Sequence, residues 1–162
     1  MIAPATTSPP YIRHGSLSVE RSLNAAYDEA KRYLSADSVE RGLFARLESS
    51  TNRTFTLRSD ARNDDRFDPN DDTIWWDPTS ALRTTTGGTQ SPALGLGHEI
   101  DHAVERPARE QQLAARCAGG YDTAEEERVI RGSERHAART LGEATRRNHD
   151  GSCFRVSSPT AR

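Results

Sequence analysis

Between Ser18 and Leu47 the apolar positions recur at helical spacing, first Val19, Leu23, Ala26, Ala30 and Leu34, then Val39, Leu43, Phe44 and Leu47. The pattern predicts two amphipathic helices, the second starting at Ser38-Val39-Glu40-Arg41 and weakened by Gly42. No chemical motif lies on either, so packing is their expected work. The period then changes to two. Thr54-Phe55-Thr56-Leu57-Arg58 alternates polar and apolar residues and predicts a half-buried strand.

Asp60 to Asp72 holds six aspartates but lacks the mid-loop Gly and closing Glu of an EF-hand loop, so it reads as a solvated loop. Thr73-Ile74-Trp75-Trp76-Asp77 predicts a second strand, stopped by Pro78 and read as an edge. An extended backbone puts its two tryptophans on opposite faces, one for the core and one for a groove or an edge. Ala81 to Gln90 has no apolar period and reads as loop.

Ser91-Pro92 is a helix start, an N-cap serine followed by proline at the first helical position. That helix is expected from Pro92 to about Arg106, with Pro107 as its stop. Gly95 and Gly97 each cost it about 1 kcal/mol relative to Ala, which close packing against another backbone would explain. After a loop at Gly119-Gly120-Tyr121, Thr123-Ala124-Glu125-Glu126 fits a capping box. A last long helix follows, burying Val129, Ile130, Ala137, Ala138 and Leu141, with Gly142 as its stop. Residues 1 to 16, rich in Pro, Thr and Ser, read as a flexible leader, and 152 to 162 as a loose tail. Residues 17 to 151 form the expected domain.

Composition narrows the function classes. With 33% hydrophobic residues in 162, the core is small and single. The net charge of -2 with interspersed signs leaves no basic stripe for nucleic acid. Nothing approaches a membrane helix or a classical signal peptide. Two cysteines, Cys117 and Cys153, do not make a disulfide scaffold. They read more readily as thiols than as a pair, and neither belongs to a C-x-x-C zinc motif.

The chemistry concentrates in His98-Glu99-Ile100-Asp101-His102. Residues four apart on a helix share a face, so His98 and His102 can hold one zinc ion, Zn2+. Glu99 points aside from them and can act as general base. The bland alternative is a surface helix that happens to carry two histidines. Asp101 replaces the usual uncharged residue. Facing outward it is harmless; facing the metal it would disturb the site.

A catalytic zinc needs a third protein ligand. A third histidine would be His14, His136 or His149, and no His-x-x-Gly-x-x-His extension follows His102. A carboxylate of the last helix fits better. Glu126 stands 24 residues beyond His102, with Glu125, Glu127 and Glu134 as alternatives. Against it, the capping box would turn the Glu126 side chain back to the Thr123 amide.

Ile74 to Pro78, Gly87 to Leu94 and His98 to Ala103 together resemble the NleD-like bacterial effector metallopeptidases, which also occur as tips of Rhs-type toxins. The likeness runs from about Arg13 to Gly151. Glu125-Glu126-Glu127-Arg128 is similar to the Glu-Glu-x-Arg segment of these effectors and of clostridial neurotoxin light chains. There the second Glu is the ligand, which implies Glu126 here. Leu141 to Arg146 resembles a further block of the family. Members carry a Tyr near the position of His149, so the resemblance implies that His149 or Arg146 takes the oxyanion role.

The expectation is therefore an α+β, zincin-like domain that cleaves an intracellular protein of a host or competitor cell. The substrate would lie along the Ile74–Asp77 strand. The family also implies export by specialised machinery and action in the target cytoplasm, with an immunity protein or secretion chaperone as further partner. The competing reading is a binding module, degenerate or holding zinc structurally, that docks a partner without cleavage.

Overall fold

The computed structural model describes residues 10–60, 62, 64–113 and 120–162, the side chains of 106–113 excepted. It is a mixed α+β structure with two sheets. The larger sheet has the order β1-β2-β3-β5-β4, comprising β1 (Tyr11–His14), β2 (Leu17–Glu20), β3 (Phe55–Ser59), β4 (Arg66–Asp68) and β5 (Thr73–Trp76). Its three inner strands run parallel and its two outer strands antiparallel to their neighbours. The smaller sheet is antiparallel, β7-β6-β8, built from β6 (Ser80–Thr84), β7 (Thr89–Gln90) and β8 (Gly151–Arg155).

The first amphipathic segment starts as a strand, which corrects the helix expected from Ser18. Leu17 and Val19 are spaced by two, and both insert fully into the core opposite Phe55 and Leu57 of β3. Helix begins only where the spacing becomes helical, at α1 (Asn24–Leu34), which buries Tyr27, Ala30 and Leu34. Strands β1 and β2 meet at Gly15, whose φ is +60°. A Cβ there would stand 2.1 Å from the carbonyl oxygen of Glu48, so only glycine fits. Part of the expected leader, residues 11 to 14, is thus an edge strand.

Helix α2 (Ser38–Glu48) forms as expected, with Asp37 as its N-cap accepting from the amides of Val39 and Glu40. Its buried stripe is Glu40, Leu43, Phe44 and Leu47, while Val39 is exposed. A carboxyl therefore takes the core position that Val39 was expected to fill.

Strand β5 is internal. The register Phe67↔Ile74 places β4 outside it, inside the segment that read as a solvated loop. This overturns the expectation that Ile74–Asp77 is a free edge for substrate. Trp76 is fully buried and donates its Nε1–H to the Pro92 carbonyl at 2.9 Å. Trp75, on the other face, is sandwiched between the guanidiniums of Arg58 and Arg66. Residues 81–84 and 89–90, expected as loop, lie in strands β6 and β7, which pair with each other while β8, mostly from the expected loose tail, pairs with β6. The tail also caps the next helix: the Pro159 carbonyl accepts from the Ala93 amide at 2.8 Å.

Helix α3 (Pro92–Leu113) packs against α1, α2 and strands β4 to β6, and Ser91 caps it, its Oγ accepting from the Leu94 amide. It runs through Pro107 rather than stopping there. Proline cannot donate to the Ala103 carbonyl one turn earlier. Arg53 donates instead, Nη1 to that oxygen at 2.7 Å, and the helix continues. Gly95 and Gly97 face carboxylates, not another backbone: a Cβ on Gly97 would lie 2.5 Å from Glu40 Oε2, and one on Gly95 3.2 Å from Asp65 Oδ2.

The last helical region is two helices, not one. Thr123 caps α4 (Ala124–Val129), a wider turn with Gly132 outside helical geometry covers Ile130–Glu134, and α5 (Arg135–Leu141) ends at left-handed Gly142. No described helix is long and apolar enough to cross a membrane.

Candidate metal centre

Helix α3 is buried along most of its described part, Pro92–Glu105, and His98, Glu99, Asp101 and His102 are all under 10% exposed. The two histidines point their Nε2 atoms at each other, 2.9 Å apart. The Glu126 carboxylate closes the triangle, 2.9 Å from His98 Nε2 and 3.3 Å from His102 Nε2. Four donors at 2.0–2.1 Å around a tetrahedral ion stand about 3.3 Å apart, so this spacing is close to that of a zinc ligand set. Two imidazoles and one carboxylate are also the donor chemistry zinc takes at catalytic sites. A second triangle shares His98 and Glu126 but takes its third donor from His149, all within 4.8 Å of one another.

The capping question at Glu126 resolves by division of labour. Its backbone amide donates to Thr123 Oγ1 at 3.1 Å, while its side chain turns inward to the imidazoles. The Thr123 amide is bonded to the Tyr121 carbonyl, so it needs no carboxylate. Burial opposes its charge, but its bonds to the His102 and His98 imidazoles hold the Glu126 carboxyl far below its ordinary range.

Both imidazoles are oriented from behind. His98 Nδ1 bonds Glu134 Oε2 at 2.7 Å, and His102 Nδ1 bonds Glu125 Oε1 at 3.2 Å. A carboxylate on Nδ1 keeps the proton there and leaves Nε2 free to face a metal. Burial opposes charging of His98, but its bonds to Glu126 and Glu134 and the nearby Glu99 raise its pKa to about 10. For His102 burial is likewise outweighed, by Glu125 and Glu126, and its pKa rises to about 9. The carboxylates thus call for positive charge between the rings.

Glu134 and Glu125, considered above as ligands, are therefore positioning residues. The wide turn at Gly132 carries Glu134 beneath His98, where Arg146 grips it through Nε at 2.8 Å and Nη2 at 2.7 Å, and Gln90 Nε2 adds a third bond at 3.0 Å. Its Nη1 reaches the His149 carbonyl at 3.4 Å, and Nη2 also lies 3.3 Å from His98 Nδ1. The oxyanion role expected for Arg146 thus competes with its grip on Glu134, behind the His98–His102–Glu126 triangle. Glu143 of the same block anchors the start of α3, accepting from Ser91 N at 2.6 Å and Ser91 Oγ at 2.7 Å.

Asp101 does neither of the two things expected of it. It is buried, yet turned from the triangle toward Arg128 Nη2 at 2.7 Å and the Ser133 hydroxyl. Arg128 also holds Glu125, so Asp101 belongs to the support of His102. His14 and His136 lie elsewhere, bonded to Asn24 and Asp37, and Glu127 pairs with Arg131. Cys117 lies outside the described residues; Cys153 is exposed on β8.

Glu99 Oε1 stands 4.0 Å from His98 Nε2 and lines two cavities of about 210 Å³ each. One runs toward Gln90, Ser91 and Arg146, the other toward Phe67, His102 and Glu126, and His149 borders both. The edge strand β4 flanks the second cavity through Arg66 and Phe67. Asp65 lines both as well, and burial together with Glu99 and Asp77 pushes its carboxyl well above its ordinary range. Sequence reading missed Asp65 because it sits in an aspartate-dense segment whose composition signals solvent. It missed Gln90 because a two-residue strand has no period to detect.

Comparison with protein families, with curated proteins and with solved structures finds no match to this chain. The functional reading rests on the site itself.

Proposed function

We propose that this protein is a zincin-like metallopeptidase, a zinc endopeptidase whose ligands are His98, His102 and Glu126 and whose general base is Glu99. The observation that carries the reading is the convergence of the His98, His102 and Glu126 donor atoms within 3.3 Å, with Glu99 beside them on the wall of an open cavity. Bound zinc supplies Lewis acidity, which polarises a carbonyl and makes hydroxide available near neutral pH.

The protein's own groups do the rest. Glu99 takes the proton of the attacking water on its carboxylate and returns it to the departing amine nitrogen. Glu134 and Glu125 keep each histidine in the tautomer that presents Nε2, and Arg146 and Arg128 hold those carboxylates in place. The free edge of β4 offers main-chain bonding to an extended substrate segment beside Glu99. In this reading the substrate is a protein of a host or rival cell reached through specialised export, as the resemblance to NleD-like effectors implies.

The test is Glu99→Gln with metal content measured alongside cleavage. Cleavage of a defined substrate should fall by about 100-fold or more with zinc retained. Full activity in that variant removes Glu99 from the role of base.

A further inference from the structure

We infer that His149 is a fourth, displaceable zinc donor, which occupies the metal's open position at rest and yields it to substrate. The inference rests on the zinc reading above and adds a state to it. His149 Nε2 lies 3.4 Å from Glu126 Oε2, and its donor atom shares a 4.8 Å sphere of mutual distances with those of His98 and Glu126. Ligand spacing of about 3.3 Å asks this group to close by up to about 1.5 Å.

The imidazole is prepared for this. Its Nδ1 bonds Asp122 Oδ2 at 2.8 Å, so the proton stays on Nδ1 and the Nε2 lone pair faces Glu126. This is the same device that Glu134 and Glu125 apply to His98 and His102. Asp122 has φ +67°, a left-handed conformation that costs a non-glycine residue free energy and clusters at functional sites. The His149 amide is tied back to the Gly120 carbonyl at 2.9 Å, which brings the two segments together.

What sets His149 apart is its support. His98 and His102 sit on α3 and Glu126 on α4, whereas His149 is on the irregular segment between α5 and β8, with its side chain 39% exposed. It can leave without unfolding an element. It also stands where the two cavities meet, so a peptide bound through both must push it aside. A zinc with four protein donors is closed to catalysis, and one with three is open. Substrate binding and opening of the metal are then a single event.

X-ray absorption spectroscopy of the zinc-loaded protein and of His149→Phe decides the matter, because it counts imidazoles directly. Three imidazoles in the resting wild type and two in the variant are expected, together with about tenfold faster zinc loss to a chelator in the variant. Two imidazoles in both proteins, with equal rates of loss, overturn the role of His149 and leave the three-ligand site standing. Failure of the wild type to bind zinc overturns the zinc reading itself, and loss of zinc in a folded variant alone makes His149 an essential donor and overturns its displaceable role. Thermal unfolding of the variant, expected near wild type for this exposed side chain, separates ligand loss from misfolding.

Discussion

Glu134 shows how one residue can matter without touching the chemistry. It is fully enclosed, accepts from Arg146 and Gln90, and shares the Oε2 that Arg146 grips with His98 Nδ1. Burial works against its charge, but Arg146 and His98 hold its carboxyl far below the ordinary range. Glu134→Gln keeps the shape but can present its amide nitrogen to His98, inverting the tautomer. Zinc affinity should fall about 10- to 100-fold, read by chelator competition. An unchanged affinity would mean that His98 needs no orientation. Arg146→Lys loses the two-pronged grip on Glu134 and should weaken zinc in the same direction. If it instead lowers kcat with zinc affinity intact, Arg146 acts on the substrate rather than on Glu134.

At the scale of elements, α3 carries two costs that its neighbours offset. At Pro107 the helix loses a donor to Ala103, and Arg53 replaces it while pairing with Asp72. Arg53→Met should destabilise the fold by roughly 1–3 kcal/mol, measured by urea unfolding, since the Ala103 carbonyl is left without its partner. The second cost is Glu40, fully buried against Gly97 with no hydrogen bond to either carboxyl oxygen. Burial first, then repulsion from Asp101, Asp37 and Glu134 against attraction from His98, raises its pKa from 4.5 to about 8. The native state then binds a proton that the unfolded chain has lost. The stability linked to Glu40 is fully present below about pH 4.5 and disappears as pH rises through about 8. Wild type should lose thermal stability between pH 5 and pH 8.5, and Glu40→Gln should flatten that loss. Equal slopes in the two proteins would show that Glu40 is ionised or solvated throughout.

For the whole molecule, what could be read in advance follows the range of the interactions. The pair at His98 and His102, the Ser91 cap, the Thr123 cap and the Gly142 stop are local, and spacing alone predicts them. The internal position of β5 was hidden because β4 is three residues long and sits among aspartates. The tail was misread because its order comes from β6 and from the first turn of α3, both distant in sequence. Val39 and Glu40 exchanged roles because a one-residue rotation of the helix stripe decides which is buried, and hydrophobicity alone chose the wrong one. At the site, spacing left Glu126 among four carboxylates and only the resemblance singled it out, while the Arg146–Glu134–His98 relay is a tertiary arrangement created by the wide turn at Gly132.

Metal analysis of the protein purified without added zinc, beside the double variant His98→Ala/His102→Ala, tests the central claim most directly. About one zinc per wild-type chain and none in the double variant is expected, with both proteins folded. No stoichiometric zinc in the wild type, or equal zinc in both, would contradict it.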